Sequence, residues 1–306
     1  MKKKVLLMGA SGSGKTSMRS LIFSNNPASL TSRLGATIDV EQNHVRFLGD
    51  LILNLWDCGG QDSFMDSYLS TQRSTIFQHV WVLIYVFEVG ARDAAKDAEY
   101  YRDCLDALQK YSPDAAVFLL VHKMDLVVGE KSAVLERRTR ELQAESGSVA
   151  VTVFGTSIYD ETLYKAWSHI VHTIIPNAAV LSKHLTTFAR ACSATEAILF
   201  ERTTFLVIAT SSSPDGPDGF DLSAARYERT SELIKALKHS CTRMREEFHA
   251  LEMELPEFTA VLDGMTKNTY VLLIVHDPTI ETAALKINIR LARPKFEELQ
   301  SDSVLA

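Results

Sequence analysis

Over roughly the first 176 positions, short apolar runs alternate with amphipathic stretches. KKVLLMG predicts a buried strand and GKTSMRSLIFS a helix. NHVRFLG and LILNLWD predict two strands joined at the turn Leu48-Gly49-Asp50. WVLIYVF reads as a strand buried on both faces, and Asp93–Tyr111 as a helix with Ala98, Tyr101, Leu105 and Leu108 at helical spacing. Then follow a buried strand at AVFLLVHK, a charge-laced helix at Ser132–Ser146, a strand in SVAVTVFGTS and a helix at Glu161–Ile175. A strand–helix alternation of this kind builds a mostly parallel sheet covered on both faces, because a parallel connection must cross over the sheet. The expectation is an α/β domain with a mostly parallel six-stranded sheet, its hairpin adding the one antiparallel strand.

Pro176-Asn177 closes the last of these helices, and the pattern changes after it. A helix at Ser182–Ser193 precedes the strands EAILFE and TFLVIAT, which flank Arg202-Thr203. SSSPDGPDGFD reads as a surface loop; its Pro-Asp-Gly pairs have the wrong ligand spacing for calcium. A long helix is predicted from about Leu222 to Leu251, then strands FTAVLDG and TYVLLIVH and a helix at about Ile280–Leu299. This is a small α+β unit with helices on an antiparallel sheet. Two domains are expected, 1–178 and 179–306.

Composition narrows the function without choosing it. Of 306 residues, 46% are apolar and 23% charged, enough for sizeable cores. The net charge of −6 argues against nucleic acid as a partner, since phosphate binding needs a basic face. Cys58, Cys104, Cys192 and Cys241 form no C-x-x-C and read as free thiols of a reducing compartment. No signal peptide, lipidation motif or run of ~20 apolar residues is visible, so direct membrane insertion is not expected. Trp56, Trp81 and Trp167 read as packing residues.

The chemistry begins where the first strand runs into Gly9-Ala10-Ser11-Gly12-Ser13-Gly14-Lys15-Thr16. This is G-x-x-x-x-G-K-T between a strand and a helix. Glycines let successive N–H groups curl around phosphate oxygens, and the helix N-terminus opened by Thr16-Ser17 favours negative charge. Ser11, Gly12, Gly14, Lys15, Thr16 and Ser17 are therefore candidate nucleotide contacts, with Lys15 reaching the β- and γ-phosphates and the Thr16 hydroxyl ligating Mg²⁺. Asp57-Cys58-Gly59-Gly60-Gln61 ends the hairpin's second strand. There a carboxylate can stand near the metal, the Gly60 N–H can swing onto a γ-phosphate, and Gln61 can orient an attacking water. Between them, Gly35-Ala36-Thr37 suits a loop that closes on Mg²⁺ and phosphate through Thr37. The catalytic candidates are Gln61 and Lys15, and the metal candidates Thr16, Thr37 and Asp57.

HKMD, residues 122–125, follows a buried strand, at the sheet end where ligands bind in α/β folds. The Asp125 carboxylate can accept two hydrogen bonds from guanine, whereas adenine offers no donor at N1; an ATP-driven motor or kinase is disfavoured for that reason. The Lys123 stem can cover the base. His122 stands where an Asn is usual, and a neutral imidazole likewise offers one donor and one acceptor. It can brace this loop against the phosphate loop. Thr156-Ser157-Ile158 would lie over the base, with the backbone N–H groups of Ser157 and Ile158 available to O6. Ser11 occupies a position that is Gly in many small GTPases, where a side chain obstructs an incoming arginine finger; slow intrinsic hydrolysis and a GAP with a different approach are expected.

In this order the motifs describe a Ras-like P-loop G domain. The segments GSGKTSMRS, RLGATIDVE, LNLWDCGGQD, VHKMDLV and TSIYDETLYKAW closely resemble Rag GTPases of the A/B type, fungal members included, and LFERTTFLVIAT, LIKALKHSC, NTYVLLIV and INIRLARPKFEEL resemble that family's C-terminal roadblock-type domain. The resemblance implies GTP/GDP and Mg²⁺ as cofactors. It implies a heterodimer with a Rag of the C/D type through the C-terminal domains, and docking on a Ragulator/EGO-type scaffold. It further implies a GAP, recruitment of the target-of-rapamycin complex, and a cytoplasmic protein held peripherally on lysosomal or vacuolar membranes by its partners. Two functions stay open at this point: a GTP-hydrolysing switch, favoured by Gln61 and Thr37, and a nucleotide-stabilised scaffold, kept open by Ser11.

Overall fold

A computed structural model describes residues 2–31, 33–35, 37, 39–48, 51–175, 178–211 and 226–300. The chain divides into two compact units, Met1–Val45 with Ile52–Ala166, and Arg46–Leu51 with Trp167–Ala306. The division falls inside the helix predicted at Glu161–Ile175.

The first unit holds β1 (Lys2–Met8), α1 (Lys15–Phe23), α2 (Ala28–Thr31), most of β2 (Val40–Leu48) and of β3 (Leu51–Cys58), α3 (Asp62–Leu69), α4 (Arg73–Phe77), β4 (Val80–Glu88), α5 (Ala94–Tyr111), β5 (Ala116–His122), α6 (Lys131–Glu145) and β6 (Val151–Thr156), and α7 (Thr162–Ile174) begins in it. The six-stranded sheet has the order β2-β3-β1-β4-β5-β6, with β1 parallel to β3 and β4, and β5 parallel to β4 and β6. Val5–Met8, Leu83–Val86 and Leu119–Val121 are buried, which is why these strands read as unbroken apolar runs. Register places the carboxyl ends side by side: Leu7 is paired with Asp57, Met8 with Tyr85, Glu88 with His122, and His122 with Thr156. Chain order reverses across β3-β1-β4, the switch point at which open α/β sheets leave a crevice.

Several details depart from expectation. After β3 come two short helices that the apolar pattern does not predict, α3 and α4, whose Met65, Tyr68, Ile76 and Phe77 are buried. Trp81 breaks the two-sided burial of its strand: it is 48% exposed, with the Lys3 ammonium 3.4 Å above its ring. Trp167 is fully buried, and half-buried Trp56 carries Lys4 at 3.7 Å from its ring centre. The turn residues Gly49 and Asp50 and the Pro176-Asn177 boundary lie outside the described residues, as do Ser212–Asp221 of the Ser/Pro/Gly-rich stretch.

In the second unit α8 (Ala178–Ala191), β7 (Glu196–Glu201), β8 (Val207–Thr210), α9 (Arg226–Arg243), β9 (Leu251–Glu254), β10 (Thr259–Thr266), β11 (Thr269–Val275) and α10 (Thr282–Gln300) form an antiparallel sheet of order β8-β7-β11-β10-β9 with helices. α8 starts at Ala178, ahead of the predicted Ser182. α9 stops at Arg243 rather than near Leu251, and the remainder yields β9, paired antiparallel with β10. The stop is a Schellman turn. Arg245 adopts φ 61°, and the Glu246 N–H donates to Cys241 O at 2.9 Å. The usual glycine is absent, so the sequence carries no mark of it. TYVLLIV is a core strand, buried except at Ile274. Among the described residues all four cysteines are free, and no helix is long and apolar enough to cross a membrane.

Candidate nucleotide site

After β1 the chain curls over a cleft of roughly 250 Å³ lined by Ser11, Gly12, Gly14, Lys15, Thr16, Ser17, Leu34, Gly35, Thr37 and Gly60. Two of the lining glycines leave no room for a Cβ. Gly14 has φ 100°, and a Cβ on it would lie 2.6 Å from His122 Cδ2. A Cβ on Gly60 would lie 2.5 Å from Gly9 O and Ser11 N, so the segment after β3 can approach the loop after β1 only as bare backbone. Lys15 is buried; its ammonium donates to Gly9 O at 2.8 Å and Ala10 O at 2.9 Å. Burial lowers its pKa to about 8, while the Asp57 carboxylate opposes the shift. A buried cation satisfied by two neutral carbonyls is poised to exchange them for an anion.

The Thr16 and Thr37 hydroxyls meet at 2.5 Å. Asp57 is fully buried. One of its oxygens, Oδ2, accepts the Arg19 Nε–H at 3.0 Å, while Oδ1 has no hydrogen-bond partner. Burial raises its pKa, and Arg19, Lys15 and the Thr16 hydroxyl pull it back. Two hydroxyls and an open carboxylate oxygen are the hard donors a divalent cation such as Mg²⁺ accepts, with phosphate oxygens completing the shell. No cluster of three His, Cys, Asp or Glu side chains suited to a metal occurs among the described residues, so this set depends on nucleotide to be complete. Gln61 immediately precedes α3; its Oε1 is buried without a hydrogen-bond partner, and the residue does not line the cleft.

The remaining candidates gather at the ends of β5 and β6. His122 is buried, with Nδ1 at 2.9 Å from Thr156 Oγ1 and its other ring edge against Gly14. Burial, and to a lesser extent Lys123, lower its pKa to about 4, so the ring is neutral. Lys123 adopts φ 63° and pairs with Glu88 at 2.9 Å. Asp125 Oδ1 accepts the Ser157 hydroxyl at 2.5 Å, and Ser157 Oγ in turn accepts the Tyr159 N–H at 3.1 Å. The Ser157 N–H, expected to face a base, instead donates to Thr162 Oγ1 at 3.0 Å. Ser157 therefore contributes its hydroxyl, as a brace for Asp125; half-buried Ile158 follows it. Sequence reasoning missed Arg19 and Thr162. Thr156, expected with Ser157 and Ile158 over the base, instead meets His122.

A glycine-rich loop after β1, a buried carboxylate ending β3 and an aspartate loop after β5, on this sheet, define a Ras-like G protein. The description "Gtr1/RagA G protein conserved region" matches residues 4–234. The chain is 51% identical to the GTP-binding protein gtr1 of Schizosaccharomyces pombe, covering 99% of this chain and 98% of that one. It is 49% identical to Ras-related GTP-binding protein A of Dictyostelium discoideum, covering 97% and 98%. Ras-related GTP-binding protein C of Homo sapiens is a more distant relative, 27% identical over 72% of this chain and 56% of its own. The chain belongs to the Gtr1/RagA family of Rag GTPases.

Proposed function

We propose that this protein binds GTP and GDP with Mg²⁺, hydrolyses GTP to GDP and phosphate, and acts as a switch. The observation that carries the reading is the meeting, at the carboxyl end of the sheet, of the Lys15 cleft, the Thr16–Thr37 hydroxyl pair and the braced Asp125 carboxylate. Lys15 exchanges its two carbonyls for β- and γ-phosphate oxygens and, with the loop amides, stabilises charge that develops on the leaving phosphate. Bound Mg²⁺, held by Thr16, Thr37 and Asp57, would supply further positive charge to those oxygens. Gln61 orients the water once its amide leaves its buried position. Asp125 accepts from guanine, with Lys123 over the base and His122 bracing the loop on Gly14. Ser157 and Ile158 close the base side.

Hydrolysis is slow without a GAP, because Gln61 must rearrange and the exposed Ser11 stands over the phosphates. The functional division is 1–178, the G domain, and 179–306, a roadblock-type dimerisation domain that joins a Rag of the C/D type. The existence of that second, distant Rag class among the chain's relatives supports the pairing. Such a heterodimer docks on a Ragulator/EGO-type scaffold at the lysosomal or vacuolar membrane and recruits the target-of-rapamycin complex in response to amino acids. Single-turnover hydrolysis of bound nucleotide tests the enzymatic part. Mg²⁺-dependent loss of γ-phosphate from GTP and not ATP is expected. Tight guanine binding with no turnover over many hours, with or without the copurified partner, would instead favour a nucleotide-stabilised scaffold, the reading that the buried Gln61 amide supports.

A further inference from the structure

Arg19 lies on α1 and projects from it toward two strands. Its Nε–H donates to Asp57 Oδ2 at 3.0 Å, at the end of β3, and its terminal nitrogen donates to Glu41 Oε2 at 2.6 Å, at the start of β2. The two carboxylates bracket the segment that leads from Thr37 into the sheet. Asp57 is fully buried, and the Arg19 guanidinium, 3.0 Å from Oδ2, is the cation paired with it. The planar guanidinium fixes direction as well as charge. It occupies one Asp57 oxygen and leaves the other, Oδ1, buried and without a hydrogen-bond partner.

We propose that Arg19 is a positioning residue for the metal site: it aims Asp57 Oδ1 at the cation and, through Glu41, ties that carboxylate to the strand carrying the Thr37 loop. The inference rests on the G-protein reading and adds to it a side chain outside every nucleotide-binding motif. Arg19 does not line the cleft. Removing it leaves the donor set intact and badly aimed, so the variant needs more Mg²⁺ while its nucleotide contacts survive. Glu41 belongs to the loop half of the bridge, so neutralising it frees the loop and leaves the cation requirement nearly unchanged.

The test loads the full-length protein, with its copurified partner if one is present, with fluorescent GDP and titrates free Mg²⁺ against nucleotide retention. Arg19→Ala is expected to raise the Mg²⁺ needed for half-maximal retention about tenfold, Arg19→Lys to recover part of that, and Glu41→Gln to stay within about twofold of wild type. At saturating Mg²⁺, trypsin cleavage after the exposed Arg33 should quicken in both Arg19→Ala and Glu41→Gln. An Arg19→Ala half-point equal to wild type would overturn the inference and leave the G-protein reading standing. A wild type that holds GDP equally with and without Mg²⁺ would remove both. Should Arg19→Ala fail to fold, the Arg19→Lys half-point decides: a value matching wild type with no change in Arg33 cleavage sinks the proposal.

Discussion

At the phosphate end of the site, main chain and near neighbours set the geometry; at the Asp125 end, side chains from separate loops hold one another. Lys15 is anchored by carbonyls six and five residues before it, and Gly14 and Gly60 matter for the side chain they lack. His122 and Asp125 are braced by Thr156 and Ser157, residues 34 and 32 positions away. The first arrangement is written into a short stretch of chain, so a single substitution there removes a function. The second is a network in which a substitution retunes what remains.

That contrast can be broken at its strong end first. Lys15→Ala deletes the one buried cation of the cleft, and GDP affinity should fall by about a hundredfold or more, as charge-assisted contacts to phosphate demand; retention within tenfold of wild type, by fluorescent-nucleotide titration, would contradict the main-chain cradle described above. At the other end, Asp125→Asn should not abolish binding but redirect it, exchanging guanine for xanthine preference by a factor on the order of a hundred, because the amide matches the changed donor pattern. Competition between GTP and XTP reads this directly, and a variant still preferring GTP contradicts the assignment of the base loop.

Ser157→Ala sharpens the contrast. It leaves Asp125 in place and removes one short hydrogen bond to it, so GDP affinity should weaken by about 1–2 kcal/mol, five- to thirtyfold, with guanine preference retained. An unchanged affinity would mean Asp125 needs no brace. The remaining effect is on stability rather than on binding. His122 has a folded pKa of about 4 against 6.5 for the free side chain, so between those pH values the unfolded chain binds a proton that the folded protein refuses. Stability is therefore lost as pH falls through 6.5 toward 4, by about 2 kcal/mol at pH 5. Thermal melts at pH 7 and pH 5 should show wild type losing several degrees more than His122→Asn. Parallel losses would show that the ring is not held neutral.

Much of the first unit was legible because its signals are local. A parallel strand buried on both faces reads as an apolar run, and a phosphate loop needs its glycines and lysine at fixed spacing. Short helices stabilised mainly by packing are different. α3 and α4 follow a polar, glycine-bearing segment, and they hold together through Met65, Tyr68, Ile76 and Phe77 buried against the sheet. In the second unit, helical periodicity continued past Arg243, and the chain stopped at an arginine in a conformation that usually announces itself with glycine. Trp81, apolar by composition, lies exposed under Lys3 at the start of β4, before the strand becomes buried on both faces.

The sequence by itself determined the fold class, the motif order and the residue types of the site, since each follows from the spacing of neighbours along the chain. Tertiary structure alone decided which groups meet. Arg19 reaches both Asp57 and Glu41, Thr16 touches Thr37, His122 seats on Gly14, and Ser157 spends its hydroxyl on Asp125 and its N–H on Thr162. Each of these depends on the register of strands and loops distant in sequence, and a change of one residue in that register would send the same side chains to other partners.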